Sequence, residues 1–289
     1  MSVARIALVS ARAAVDLDDD LPPLLSALQA AGAQIAVACW DDLAVDWAGF
    51  DLALLRSTWD YTYRLTEFLE WLDRVSRCTH LHNPAALVRW NIDKRYLLDL
   101  ASAEVPVIAS RFIAPGELVE VSDRAEFVLK PSVGAGSRGA RRFGRGDRAL
   151  ALSHAAQLHA DGYTVMVQPY LGRVDREGET ALIHFNGQFS HAIRKGPLLR
   201  REGGDPDGLF AAEAITPRSA RPAELDVAQQ ALRAIPGGMP LYARVDLIED
   251  DEGTPRVLEL ELTEPSLFFA SAPGSADLFA AEILRSVQR

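Results

Sequence analysis

The sequence predicts an α/β protein of two or three lobes that opens with a small parallel sheet. Three observations carry this. Apolar strands alternate with helices over roughly the first 85 residues, the pattern of a parallel sheet covered by helices. Two antiparallel hairpins can be read in the second half. Midway, a glycine loop joins two further strands. With 289 residues, 48% of them hydrophobic, the chain can bury a sizeable core.

In chain order, Ala4 to Ser10 reads as an apolar strand. Pro22 to Ala31 follows as a helix, its prolines tolerated in the first turn and Gly32 ending it. Ile35 to Trp40 and Leu52 to Arg56 are strands, and Leu65 to Val75 is an amphipathic helix. Ala85 to about Ala103 reads as helical and Val105 to Ile113 as a strand. Ala149 to Ala160 is a helix, Thr164 to Val167 a strand, and Ser275 to Val287 the final helix. Asn186-Gly187 is a strong two-residue turn between Thr180–Phe185 and Gln188–Arg194. Symmetric pairing about it sets Glu179 opposite Arg194. The second hairpin joins Leu241–Ile248 to Arg256–Thr263, with Asp246 opposite Glu259 and Arg244 opposite Glu261.

Composition excludes several classes. A net charge of -10 argues against nucleic-acid binding, which needs clustered positive charge. No apolar run approaches a membrane span, and MSVARIALVS lacks the long apolar core of a signal peptide. A cytoplasmic protein without a membrane partner is the expectation, and a homo-oligomer is compatible with it. Cys39 and Cys78 form neither a metal spacing nor a disulfide framework.

The central stretch is FVLKPSVGAGSRG, residues 127 to 139. Phe127 to Leu129 reads as a buried strand closed by Lys130 and Pro131. Gly134, Gly136, Ser137 and Gly139 then form a loop that is mostly backbone, suited to cradling phosphate. Gly134, Gly136 and Gly139 also spell GxGxxG, but a dinucleotide site needs a helix opening on the loop. Ala140 to Gly146 is too short and glycine-rich for one, and reads as a returning strand. The chain has 27 arginines and three lysines, Lys94, Lys130 and Lys195. A lysine kept in such a chain marks a place where a guanidinium fork will not fit, such as a point contact to phosphate.

In VLELELTE, Glu259 and Glu261 share one strand face while the leucines take the other. Asp246 interrupts an apolar strand on the same face by the hairpin register. Hard oxygen ligands near phosphate suit magnesium, and Arg244 beside them can reach a transferring phosphoryl group. A solvated acidic face and a structural Arg244–Glu261 pair are the alternatives. The third strand of the first domain empties into Arg56, Ser57, Thr58, Trp59, Asp60 and Tyr61, groups able to hold a polar substrate. The alternative there is a well-capped loop with a half-buried tryptophan.

The run Asp93-Lys94, FVLKP with its glycine loop, VQPYL, the Asn-Gly hairpin, RVDLI and LELELTEPSL resembles the ATP-grasp ligases in content, order and spacing. The resemblance covers about residues 84 to 289. It implies an ATP-grasp fold, two α+β lobes gripping ATP, preceded by a small α/β substrate domain: 1–84, 85–168 with the lid, and 169–289 with the metal site. By that resemblance Lys94 and Lys130 contact the nucleotide phosphates, and the loop with Gly134, Gly136 and Ser137 closes over them. Gln168, Pro169, Tyr170 and Leu171 line the adenine pocket, and Glu179, or else Glu177, holds the ribose. Asp246, Glu259 and Glu261 would ligate magnesium, although the common pattern has Asn where this chain has Glu261. Arg194 and Arg244 would hold a substrate carboxylate against the γ-phosphate.

Within the family, RSTWDY, the NPAALVRWN-DK segment and TEPSLF resemble cyclo-ligases that close O-ureido-D-serine to D-cycloserine. The function implied is ATP- and magnesium-dependent activation of a small zwitterionic amino acid, followed by intramolecular attack of nitrogen. An intermolecular carboxylate–amine ligase, a nucleotide-binding regulator without turnover and a dehydrogenase are the rival classes.

Overall fold

The alternation at the N-terminus becomes a four-stranded sheet whose pairs are all parallel. The structure, a computed structural model, describes residues 3–199, 209 and 213–287. Strand β1 (Arg5–Ser10) leads through helix α1 (Leu21–Ala30) to β2 (Gln34–Cys39). Then come β3 (Leu52–Leu55), α2 (Leu65–Val75) and β4 (His80–His82), in the order β2-β1-β3-β4. The sheet is covered on both faces, which is why β1 is continuously apolar rather than alternating. Ile6 and Leu8 pack with α1, whereas Ala7 and Val9 pack with Phe68, Trp71 and Leu72 of α2. Three-residue β4 carries too little pattern to be read from sequence.

The expected helix from Ala85 to Ala103 is two helices, α3 (Ala85–Asn91) and α4 (Tyr96–Ser102). The break frees Lys94, whose backbone N–H donates to Ser132 O at 2.8 Å. Of the strand expected from Val105 to Ile113, only β5 (Arg111–Ile113) forms; Val107 makes a lone parallel bridge to Val257. Then follow β6 (Phe127–Pro131), β7 (Arg141–Phe143), α5 (Arg148–Ala160) and β8 (Val165–Pro169). They build the antiparallel sheet β5-β8-β6-β7. The glycine loop therefore connects β6 to an antiparallel neighbour, with no helix opening on it. That removes the basis of the dinucleotide reading.

A short α6 (Val174–Glu177) precedes β9 (Glu179–Phe185), β10 (Gln188–Lys195), β11 (Ile215–Arg218) and α7 (Pro222–Arg233). The chain continues with β12 (Tyr242–Glu249), β13 (Pro255–Glu261) and α8 (Ser275–Val287). The third sheet runs β11-β10-β9-β12-β13. Helix α7 and strand β11 are additions to the elements that the sequence pattern predicts. Val227, Ala228, Ala231 and Leu232 of α7 cover one face, against Leu182, Val245 and Leu260. On the other face Ile183, Ile193 and Tyr242 share one core with Phe279 of α8 and with Leu24 and Leu28 of α1. This sheet and the N-terminal sheet are therefore held by common apolar packing.

Asn186 and Gly187 both take positive φ, +48° and +77°, as a type I′ hairpin turn requires. The expected register nevertheless fails. A bulge between Phe189 and His191 shifts the pairing, so Glu179 faces Lys195 and Arg194 faces Thr180. One extra residue on one strand turns every later side chain to the other face. The β12–β13 register is as expected, Asp246 opposite Glu259 and Arg244 opposite Glu261.

Candidate active site

The three sheets meet around one cavity of ≈530 Å³. Lys94 reaches it from the α3–α4 break, Lys130 from β6 and Lys195 from β10, so all three lysines of the chain line it. Glu179 comes from β9, Arg244 from β12, and Glu259 and Glu261 from β13. Gln168, Pro169, Tyr170 and Leu171 enter from the end of β8, and Gly134, Gly136 and Ser137 from the glycine loop.

The loop is shaped by left-handed residues: Gly136 and Ser137 both have φ +62° and Gly139 +67°. A β-carbon on Gly139 would stand 3.1 Å from the Pro131 ring, so the positive φ and the close approach both favour glycine. Lys94 Nζ donates to Gly134 O at 2.6 Å and lies 2.9 Å from Glu259 Oε1. It ties the phosphate-type loop to the acidic strand. Arg138, on the same loop, stacks over the Tyr63 ring of the N-terminal domain at 3.8 Å.

Beneath the cavity floor lies a buried charge network. Asp246 is 1% exposed and accepts hydrogen bonds from Arg244 Nε (2.9 Å) and Lys195 Nζ (2.7 Å). Lys195 is also 3.3 Å from Glu179, and Arg244 pairs with Glu261. Arg244 and Lys195 hold the Asp246 carboxyl below its usual range against the opposing effect of burial. Lys130 is the contrasting case: among the described residues no carboxylate lies within 4 Å of it. Burial pushes its ammonium down to about 8, and the like charges of Lys94 and Lys195 add to this while Glu259 opposes it. A cation in that state is matched to an incoming anion.

Magnesium fits the donor set in a narrower way than expected. Among the described residues no three acidic, histidine or cysteine side chains are arranged to hold an ion by themselves. Asp246 is taken up by Arg244 and Lys195 and does not line the cavity, so of the three expected ligands it is the one set back from it. Glu259 and Glu261 do line it. Burial pushes the Glu261 carboxyl up to about 7, with Glu259 and Asp246 adding to the effect and Arg244 opposing it. A hard divalent ion that takes one or two carboxylates plus phosphate oxygens would relieve that excess charge.

Four of the six residues expected at the substrate end lie behind the wall. Arg56 is fully buried, 3.1 Å from Pro265 O through NH1 and 3.6 and 3.9 Å from Asp20 and Asp18. Ser57 bonds Ser10 across the sheet at 2.7 Å, and Thr58 O accepts the Tyr61 N–H. Asp60 accepts Trp40 Nε1 at 2.8 Å and faces Arg64. These groups brace the loop; only Trp59 and Tyr61 line the cavity, with Trp59 Nε1 donating to Glu264 O at 3.0 Å. The well-capped-loop alternative describes most of this segment.

Arg194 is likewise displaced. The bulge turns it away from the cavity, where its Nε donates to Glu177 O at 2.7 Å. Lys195 occupies the place intended for it. Between the two ribose candidates, Glu179 lines the cavity, and Glu177 lies outside it beside Arg176. Tyr170 carries Arg142 over its ring at 3.6 Å, and its hydroxyl donates to Asp175. Lys195, Tyr61 and Glu264 also line the cavity, with no site role assigned to them from the sequence. Lysine scarcity had already singled out Lys195, and Tyr61 ends the polar run after the third strand, whereas Glu264 stands only within the TEPSLF segment with no spacing of its own to mark it.

Residues 6–83 match the family model described as D-cycloserine synthetase DcsG, N-terminal domain. The chain is 40% identical over 292 residues to the cycloserine biosynthesis protein DcsG of Streptomyces lavendulae, covering 95% of this chain and 96% of that protein. A crystal structure of D-cycloserine synthetase DcsG superposes with a TM-score of 0.89 at 38% identity, over 98% of this chain and 100% of the other. A D-alanine–D-alanine ligase from Bacillus anthracis, solved with ATP, superposes at 0.67 with 15% identity, over 99% and 98% of the two chains. The ATP-grasp ligase PsnB, solved with magnesium and ADP, superposes at 0.64 with 16% identity over the whole of both chains. The last two likenesses establish the fold alone. Identity along nearly the whole length places the chain in the DcsG family of ATP-grasp ligases, ATP-dependent enzymes that form C–N bonds.

Proposed function

We propose that the enzyme uses ATP to close O-ureido-D-serine to D-cycloserine in a single active site. The observation that carries this reading is the convergence of all three lysines with Arg244, Glu259 and Glu261 on one cavity. In this reading Lys94, Lys130 and the glycine loop bind the phosphates, and Glu179 the ribose. Gln168 to Leu171 line the base pocket. Magnesium at Glu259 and Glu261 would neutralise charge on the transferring phosphoryl group.

Arg244, locked by Asp246, orients the substrate carboxylate toward the γ-phosphate. A carboxylate oxygen attacks the γ-phosphorus, giving an acyl phosphate and ADP. The ureido nitrogen bonded to oxygen then attacks the acyl carbon, loses its proton and expels phosphate, closing the ring. Water attacks the carbamoyl group left on the ring nitrogen, which departs as carbon dioxide and ammonia. Holding nucleophile and electrophile in one molecule supplies much of the acceleration, ~7–11 kcal/mol in favourable cases. Trp59 keeps bulk water from the acyl phosphate.

The test is incubation of enzyme, ATP and magnesium with O-ureido-D-serine alone. ADP, phosphate and the cyclic product by mass spectrometry are expected. Obligatory dependence on a separate amine, with a linear amide as product, would overturn cyclisation.

A further inference from the structure

One end of the cavity, formed by Trp59, Tyr61 and Glu264, has no part in the nucleotide assignment above. Glu264 is 8% exposed, yet it lines the cavity. The Tyr61 hydroxyl adjoins its carboxyl and favours the charged form. Among the described residues it has no Lys, Arg or His within 4 Å. The other buried or half-buried carboxylates of the lining each have one: Glu259 has Lys94, Glu261 has Arg244, Glu179 has Lys195, and Asp18 and Asp20 have Arg56. A carboxylate in this setting is costly unless a cation meets it.

The backbone that carries Glu264 is clamped residue by residue. Trp59 Nε1 donates to Glu264 O (3.0 Å), Arg56 NH1 to Pro265 O (3.1 Å) and Arg244 NH1 to Ser266 O (3.1 Å). Asp20 then accepts the N–H groups of Leu267, Phe268 and Phe269. The carboxyl group is held in place before any ligand arrives, which is how a recognition group keeps its ordering cost low. The clamp also accounts for the buried Arg56: it shapes the substrate end without touching substrate.

Resting on the cyclo-ligase reading, we propose that Glu264, beside Tyr61, binds the α-ammonium group of the amino-acid substrate and so sets specificity for an amine-bearing molecule. The ammonium is the one cation such a substrate offers, and the Trp59 and Tyr61 rings favour a cation at this place. No covalent step is assigned to Glu264.

The experiment measures ADP release with O-ureido-D-serine and with the analogue carrying hydrogen in place of the amino group. Glu264→Gln should raise KM for the amine-bearing substrate roughly ten- to hundredfold, the value of a charged hydrogen bond, and leave KM for the analogue nearly unchanged. Tyr61→Phe should show the same contrast at smaller size, and it serves if the first variant does not fold. Equal losses on both substrates, a fall in kcat at unchanged KM, or a changed magnesium requirement would each overturn the assignment. Absence of ADP release from the unaltered enzyme with O-ureido-D-serine would instead remove the cyclo-ligase reading, and this inference with it.

Discussion

Lys130→Met keeps the length and apolar stem of the side chain and deletes its charge, so it separates what that charge costs the fold from what it gives to binding. Burial lowers the ammonium from an ordinary 10.5 to about 8. At neutral pH that difference corresponds to a strain of up to about 3 kcal/mol. The sign follows from linkage: the unfolded chain holds this proton more tightly than the folded one. Stability of the nucleotide-free enzyme therefore rises with pH between about 8 and 10.5, as the unfolded state binds more protons there. Lys130→Met should raise the nucleotide-free stability at pH 7 by a substantial part of that amount, and the gain should vanish above pH 10. The same change should weaken ATP binding by ~1.5–3 kcal/mol, roughly ten- to hundredfold. Since phosphate restores the cation, ATP binding at pH 8 should take up about half a proton. Denaturant unfolding across pH and calorimetry in buffers of different ionisation enthalpy read all three quantities. A destabilised variant with undiminished ATP affinity would refute both the electrostatic account and the phosphate assignment.

Three further outcomes are expected. Glu259→Gln should abolish ADP release with the circular dichroism spectrum unchanged, because it removes a cavity charge with little change in volume; near-normal activity at limiting magnesium would return β13 to a solvated acidic face. Lys195→Ala should lower turnover by at least about tenfold, since it strips Asp246 of one of its two cations, whereas Arg194→Ala should stay within about twofold of the unaltered enzyme. Steady-state ADP assays of the pair check the corrected hairpin register directly. Arg138→Ala should hasten proteolysis of the glycine loop without nucleotide by a few-fold, because a stacked cation contributes only about 0.5–1 kcal/mol at an exposed position; an unchanged cleavage rate would leave the Tyr63 contact without a role in holding the loop.

Local pattern was sufficient wherever the physics is local. The alternation of apolar strands and helices fixed a covered parallel sheet, because a chain buried on both faces must be apolar at every position, as Ile6 to Val9 are. Two-residue periodicity placed Glu259 and Glu261 on one face, and the Asn186-Gly187 turn paired β9 with β10, although not in the expected register. The rarity of lysine marked three positions, and all three lie in the active-site cavity. Glycines spaced on the loop after Lys130 signalled a backbone that must adopt left-handed conformations, and Gly136 and Gly139 do.

What the sequence could not settle were matters decided between segments distant in the chain. A single bulge near Phe189 exchanged Arg194 for Lys195 at the active site, and bulges answer to packing of the whole sheet rather than to the residues at the turn. Arg56, Ser57 and Asp60 have the chemistry of a binding site, yet tertiary packing turns each of them to another part of the fold. Arg56 meets Pro265, 209 residues away. Glu264 has the reverse history, an unremarkable residue after a strand that folding leaves facing the cavity, with no Lys, Arg or His within 4 Å among the described residues. Residue type and spacing determine what a side chain is able to do. Which neighbours neutralise it, and whether it meets solvent, ligand or another charge, depends on long-range packing, because burial and electrostatic environment are properties of the assembled fold.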